Sequence, residues 1–333
     1  MKRFVTLKDI AKKSGYSVIT VSRALNNKGY VSKEARKKIL QVAKELNYVK
    51  NVTASSLKYN KTKTVGVVIV DTQNPFYSDI LKGIEFAAKK KDYQILLMNT
   101  DRKYEIEQKA IRTFLERRVD GLIITSTQSN IDDLLYLQEI NFPTVLVEYH
   151  DEKLNIDEVY IDDLKGGYIA TNHLIEIGKK NILFFAGSSF KYATKMRCEG
   201  YKKAIKEKSL KINTLFSKEG YDEAYLTFEK FWKDKNEDID GIFCYNDIFA
   251  FAVLRFFEEI NVKVPEEVAV IGYDDIVFSS IIGLSTVKVD KFSMGEKAFE
   301  ILYQRINKKR RKKKEQIFDV ELVVRRTTKG VKI

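Results

Sequence analysis

From Thr64 onward, short apolar runs alternate with stretches of helical periodicity, and this constrains the fold more than any other feature. "VGVVIV" precedes an amphipathic stretch over Phe76–Lys91, then come "QILLMN", Tyr104–Arg117 and "GLIIT". The pattern resumes with "TVLV", "VYID", Asp163–Ile177, "NILFFAG", Met196–Lys208, Tyr221–Lys233, "GIFCY", Ile248–Ile260 and "VAVIGY". Apolar runs of four to six residues joined by helices are the pattern of parallel sheets covered on both faces. "DGLIIT" at Asp120 is echoed by "DGIFCY" at Asp240. The expectation is an α/β body of two similar lobes, with strand carboxyl ends facing a cleft between them.

The first 63 residues differ in kind. They hold 16 Lys/Arg and 3 Asp/Glu, so the whole net charge of +13 resides there, and residues 64–333 are neutral. A basic module on a neutral body is an electrostatic footprint for a polyanion. Thr6, with Asp9 three residues on, predicts a capped helix that Gly15 ends. Ser17 caps a second helix with Val21, Ala24 and Leu25 inward. Ser32 caps a third, which buries Ala35, Ile39, Val42 and Leu46 and ends near Leu46–Asn47. Two short helices around a glycine turn, braced by a third, form a helix-turn-helix. Its second helix then offers Val18 and Ile19 to thymine methyls and Arg23 to a guanine, with Thr20 and Ser22 suited to phosphates.

Composition narrows the remaining classes. The chain is 44% hydrophobic and 32% charged, as globular proteins are. No apolar run reaches the ~18 residues of a membrane span, and "MKRFVTLKDIAKKSGY" lacks a secretory h-region. A cytoplasmic location is expected, with Cys198 and Cys244 as buried, reduced spectators. No Walker loop, G-x-G-x-x-G, G-x-S-x-G, H-E-x-x-H or CxxC occurs, so the chain reads as no enzyme. His150 and His173 are too few and too separate for a metal site, and no cofactor is expected.

"TLKDIAKKSGYSVITVSRALNNKGYVSKEARKKILQVAKELNYVKN" closely resembles the headpiece of the lactose-repressor (LacI/GalR) family of bacterial regulators. "NPFY", "DGLII", "RCEGY", "YNDIFAF", "VAVIGYDD" and "VVRRTT" extend the resemblance over about the whole chain. The resemblance implies a headpiece at 1–49, a hinge helix and linker at 50–63, and a two-lobed body at 64–333 similar to periplasmic sugar-binding proteins. It assigns DNA contact to Thr6, Ser17, Val18, Ile19, Thr20, Ser22, Arg23 and Asn26, and in the hinge to Ala54, Leu57 and Lys58. Leu57 stands where the family wedges a leucine into the minor groove. Lys50 and Ser55 depart from the proline and arginine usual there.

For the cleft it implies Phe76 or Tyr77 as a stacking wall, Arg197, Asn246 and Asp274 as polar contacts, and Glu148, Tyr149 and Asp247 beside them. Lys191 and Lys195 precede Arg197 and suit a phosphate or plain solvent. The implied protein is a cytoplasmic homodimer on a near-palindromic operator, a repressor controlled by a small molecule, with sugar the family-weighted choice. A sequence-blind architectural DNA binder is the alternative. The basic run Lys308–Lys314, after a helix expected at Phe292–Asn307, is a candidate supplementary DNA contact.

Overall fold

The computed structural model describes residues 5–49, 61–234, 238–308 and 312–329. It divides into two compact units, Met1–Thr62 and Lys63–Ile333.

The first unit holds α1 (Leu7–Ser14), α2 (Val18–Leu25) and α3 (Lys33–Glu45). Thr6 and Asp9 form a reciprocal capping box, and Gly15 closes α1 at φ 79°, a backbone state open to glycine at little cost. Ser17 and Ser32 accept hydrogen bonds from the amides of Thr20 and Ala35, starting α2 and α3 where expected. Ile10, Ala11, Val21, Ala24, Ile39 and Val42 make the core, with Leu25 and Leu46 packed against it. The outer face of α2 stays in solvent: Val18 is 40% exposed and Ile19 66%. The hinge positions Lys50, Ala54, Ser55, Leu57 and Lys58 lie outside the described residues.

The second unit is two parallel sheets. β1 (Thr64–Ile69), α4 (Pro75–Lys90), β2 (Gln94–Asn99), α5 (Tyr104–Glu116), β3 (Leu122–Ile124), α6 (Asp132–Glu139), β4 (Thr144–Val147) and β5 (Asp157–Ile161) build the first lobe. The second follows with α7 (Asp163–Glu176), β6 (Ile182–Ala186), α8 (Tyr192–Glu207), β7 (Asn213–Phe216), α9 (Tyr221–Asp234), β8 (Gly241–Cys244), α10 (Asp247–Glu259), β9 (Ala269–Asp274), α11 (Val277–Ile282) and β10 (Ser285–Val289). α12 (Lys291–Ile306) and β11 (Glu315–Phe318) return to the first lobe, and β12 (Val320–Val323) to the second. The strand orders are β11-β5-β4-β3-β1-β2 and β12-β10-β9-β8-β6-β7. All pairs are parallel except β10 with β12.

The chain therefore crosses between lobes three times, and an aspartate stands at each crossing. Asp162 and Asp290 cap the helices that follow, and Asp319 accepts from its neighbour's amide and pairs with Lys165. Each lobe is also braced by one close helix pair. A Cβ on Gly83 would stand 2.0 Å from the Phe292 carbonyl oxygen, and one on Gly295 2.0 Å from that of Ile80. Gly167 and Gly200 do the same for α7 and α8, at 2.2 and 2.1 Å from the Arg197 and Leu164 oxygens. Only residues without a Cβ allow backbones this near. Gly83→Ala is expected to lower stability by about 1–3 kcal/mol through overpacking. An unchanged urea midpoint would mean that the helices part freely.

The expected α/β class and two-lobed architecture are present. No run or periodicity in the sequence announces α6, β7, α11, β10, β11 or β12, and α8 begins at Tyr192, four residues before the expected Met196. The basic run is partly engaged by the body: Lys313 Nζ lies 3.1 Å from Glu158 and 2.9 Å from Glu315, and the Lys314 amide donates to Asp157. Residues 309–311 of that run lie outside the described residues. Cys198 and Cys244 are both free and buried.

Candidate effector cleft

Apart from Arg197, every side chain lining the interlobe cavity stands at or after the carboxyl end of a strand. The first lobe contributes Asn74, Phe76 and Tyr77 after β1, Arg102 after β2 and Glu148 after β4. The second contributes Lys191 after β6, Glu219 after β7, Tyr245 and Asn246 after β8, Arg197 from α8 and Asp274 at the end of β9. Asp101, Arg102, Gln128, Glu148, Asp274 and Asp275 hold positive φ without being glycine. Of these, Arg102, Glu148 and Asp274 line the cavity.

Arg197 organises the second-lobe side. It is 1% exposed. Its Nε donates to Asp163 at 2.8 Å, its Nη1 to the Tyr245 carbonyl at 2.6 Å, and its guanidinium lies 3.6 Å over the Tyr273 ring. Nη2 has no hydrogen-bond partner among the described residues and stands 3.9 Å from Asp274. Burial works against its charge, but Asp163, Tyr273 and Asp274 more than restore it and raise its pKa. On the first-lobe side Tyr77 donates to Glu148 at 2.7 Å. Burial raises the Glu148 pKa, with Lys191 and the Tyr77 hydroxyl opposing, and burial raises Asp274 against the pull of Arg197.

Lys191, 7% exposed, sits 3.4 Å from Glu219, so it faces this partner rather than solvent, whereas Lys195 is exposed. The cavity left between these groups is about 20 Å³, room for about one water. A larger guest enters only when the lobes part. Gln128 spans the gap in the closed arrangement: it accepts the Tyr192 amide at 2.8 Å and donates to the Glu148 carbonyl at 3.3 Å.

Of the eight expected cleft residues, Phe76, Tyr77, Glu148, Arg197, Asn246 and Asp274 line the cavity. Tyr149 does not. It turns away from Glu148 into the first-lobe core and donates to Asp151. Asp247 also lies elsewhere: its carboxylate accepts from Ser279, Thr286 and the Ile276 amide, tying α10 to α11 and β10. Asn246 has two duties, since its Oδ1 caps α10 through the Phe249 amide while the residue lines the cleft. Asn74, Arg102, Glu219 and Tyr245 were not assigned from sequence. Asn74 and Tyr245 sit inside the "NPFY" and "YNDIFAF" signatures, but nothing in the spacing marks Arg102 or Glu219.

The loop bearing Gln128 is pinned by a buried acid. Glu107 accepts from Ser126 Oγ at 2.9 Å and the Thr127 amide at 2.6 Å. Burial, then Asp133, push its pKa up to about 8. A carboxyl raised on folding holds its proton in the native state. Its stabilising contribution is complete below the unfolded value of about 4.3 and is lost as pH rises through the folded value. Glu107→Gln is expected to flatten the fall in urea midpoint between pH 5.5 and 8.5. An equally steep fall in the variant would remove this role.

In the headpiece Thr6 caps α1, Ser17 and Asn26 cap α2, and Val18, Ile19, Thr20, Ser22 and Arg23 lie on α2. Thr6 Oγ1 donates to Asp9, Ser17 and Thr20 hydroxyls meet at 2.9 Å, and Asn26 Nδ2 donates to the Ser22 carbonyl. Arg23 is exposed beside Val18 and Ile19 on the outward face.

Comparison with known proteins agrees with both units. Residues 6–51 match bacterial regulatory proteins of the lacI family, and residues 62–325 match the periplasmic binding proteins and sugar binding domain of the LacI family. The HTH-type transcriptional repressor PurR of Vibrio vulnificus (strain CMCP6) is 31% identical over 335 residues, covering 98% of this chain and 99% of the relative. The lac repressor dimer bound to operator and the anti-inducer ONPF superposes with a TM-score of 0.87 at 25% identity, over 98% of this chain and 99% of the other. The transcriptional regulator CelR–cellobiose complex does so with a TM-score of 0.73 at 26% identity, over 97% and 99%. Among the described residues no helix is long and apolar enough to cross a membrane.

Proposed function

This chain belongs to the LacI family of bacterial regulatory proteins, and we propose that it acts in the cytoplasm as a homodimeric repressor whose operator affinity is set by a sugar-like effector in the interlobe cleft. Its relatives are transcriptional regulators rather than enzymes. The observation that carries the effector reading is the donor set around the cavity. Arg197 Nη2 is unfilled, and Asn246, Asp274 and the aromatic residues Phe76, Tyr77 and Tyr245 line the same cavity. Paired donors and acceptors beside aromatic walls fit the hydroxyls and the apolar face of a sugar ring. The CelR structure holds cellobiose, which supports the same class here.

Dimerisation has candidate surfaces in the body. Leu96 and Leu97 are exposed on β2, the edge strand of the first sheet, and Val277, Phe278 and Ile281 are exposed on α11 of the second lobe. Apolar groups left in water on both lobes suit burial against a second copy. Two headpieces then place Val18, Ile19 and Arg23 in major grooves of two half-sites, with Thr6, Ser17, Thr20, Ser22 and Asn26 at or near the backbone.

Effector occupancy changes how far the lobes close, and lobe closure changes the spacing across the dimer. Moving such an equilibrium from 1:99 to 99:1 takes about 5.5 kcal/mol of differential affinity. The test is operator binding by the full chain, read by fluorescence anisotropy with and without each member of a mono- and disaccharide panel. One sugar that shifts the midpoint at least tenfold supports the reading. Midpoints unmoved by every sugar that binds the protein would sink it.

A further inference from the structure

The charges around the cleft do not balance. Arg102 is matched by Asp71, Lys191 by Glu219, and Arg197 by Asp163 at 2.8 Å, with Asp274 at 3.9 Å its more distant second partner. Behind them Arg325 is matched by Asp275 at 2.7 Å. Lys291, 6% exposed, spends its ammonium on the Asp274 and Asp275 carbonyl oxygens. That leaves Glu148, Asp247 and Asp274 against the one charge of Lys291. Asp247 is fully hydrogen-bonded inside its lobe, so the excess that faces the cavity rests on Glu148 and Asp274.

These two come from opposite lobes and line the same cavity, and Glu148 raises the cost of ionising Asp274. Their acceptor capacity is open. The Asp274 carboxylate has no hydrogen bond among the described residues, and Glu148 has one, from Tyr77. The neighbouring Glu219 Oε1 is held by the Lys191 ion pair at 3.4 Å. Closing the lobes around nothing brings like charges together in a dry space, at a cost only a proton or a bound cation removes. A phosphate or carboxylate guest would add to the excess, since Arg102, Lys191 and Arg197 each already face a carboxylate and only Arg197 Nη2 keeps an open donor.

Resting on the sugar-like reading above, we propose that the effector carries a protonated amino group, as an amino sugar does, seated between Glu148 and Asp274 and drawing the lobes together. The hydroxyls of the ring meet Arg197 Nη2 and Asn246, and the ammonium supplies the missing positive charge. Sugar phosphates and sugar acids are disfavoured by the same count.

The experiment is thermal unfolding of the full chain at pH 6.5 with glucosamine, galactosamine and mannosamine. Each is compared with its neutral parent, its N-acetyl derivative and its 6-phosphate. The expected result is that one free amine stabilises at a concentration at least tenfold below its parent and N-acetyl form. Asp274→Asn and Glu148→Gln should each narrow that tenfold preference without unfolding the protein, since both keep the side-chain shape. A neutral parent or a 6-phosphate that stabilises as well as the amine overturns the inference and leaves the sugar reading standing. Silence from every sugar here overturns the inference, and silence from the mono- and disaccharide panel as well overturns the sugar reading with it.

Discussion

Replacing Arg197 with methionine is expected to lower the stability of the body by about 3–5 kcal/mol and to abolish the effector response. The side chain is enclosed by Asp163, the Tyr245 carbonyl and the Tyr273 ring, and Asp274 stands across from it. Methionine refills the volume, so cavity formation adds little. The loss comes from Asp163, 2% exposed, which is left as a buried carboxylate without its cation. Burial already raises its pKa against the pull of Arg197, so without the arginine it takes up a proton. The deficit in urea midpoint should therefore shrink at acid pH. The double change Arg197→Met with Asp163→Leu should recover part of the loss, because both halves of the pair then go. If the double variant falls by the sum of the two single changes, the pair is not the source of the effect.

Replacing Arg23 with alanine is expected to cost about 1–3 kcal/mol of binding to the preferred duplex and to relax the preference at one base pair in each half-site. Arg23 is exposed on α2, on the face that leaves Val18 and Ile19 in water. Two apolar side chains at the front of a helix in the most basic part of the chain serve no core, since Val21 and Ala24 already face inward. Contact with thymine methyls gives them a use. Binding of the variant to every single-base change of the duplex, at one salt concentration, distinguishes the possibilities. A uniform loss at all positions with a shallower salt dependence would make Arg23 a phosphate contact instead.

The headpiece was legible from sequence because each boundary is local chemistry. Thr6, Ser17 and Ser32 stop one segment and start the next through their own hydroxyls, and Gly15 closes α1 by its own backbone. β1, β6, β8 and β9 were legible because they are buried on both faces and read as continuous apolar runs, and β2 because its run is apolar even where Leu96 and Leu97 are exposed at the sheet edge. What escaped has physical reasons. α6 spans only eight residues, too few for a clear periodicity, and its start rests on Asn130, which accepts the Asp132 amide from outside the cap position. β7 is an edge strand with half-exposed residues, and Glu219 after it carries no pattern of its own. The return of α12 and β11 to the first lobe depends on long-range packing through Gly83 and Gly295, which no local window contains.

The cleft was legible in part for a related cause. Strand carboxyl ends foretell where polar side chains gather, but not which of two neighbours turns inward. Glu148 takes a positive φ and faces the cavity while Tyr149 enters the core. Asn246 faces the cavity while Asp247 enters its lobe. The charge excess between Glu148 and Asp274 exists only once the two lobes stand opposite one another.

The most direct measurement is selection of bound duplexes from a random pool by the full-length chain, followed by titration of the winner with and without a stabilising sugar. The account predicts a near-palindromic consensus with two half-sites and an affinity that the sugar changes at least tenfold. A salt-sensitive pool without consensus, bound equally with and without sugar, would contradict it and leave a sequence-blind DNA binder.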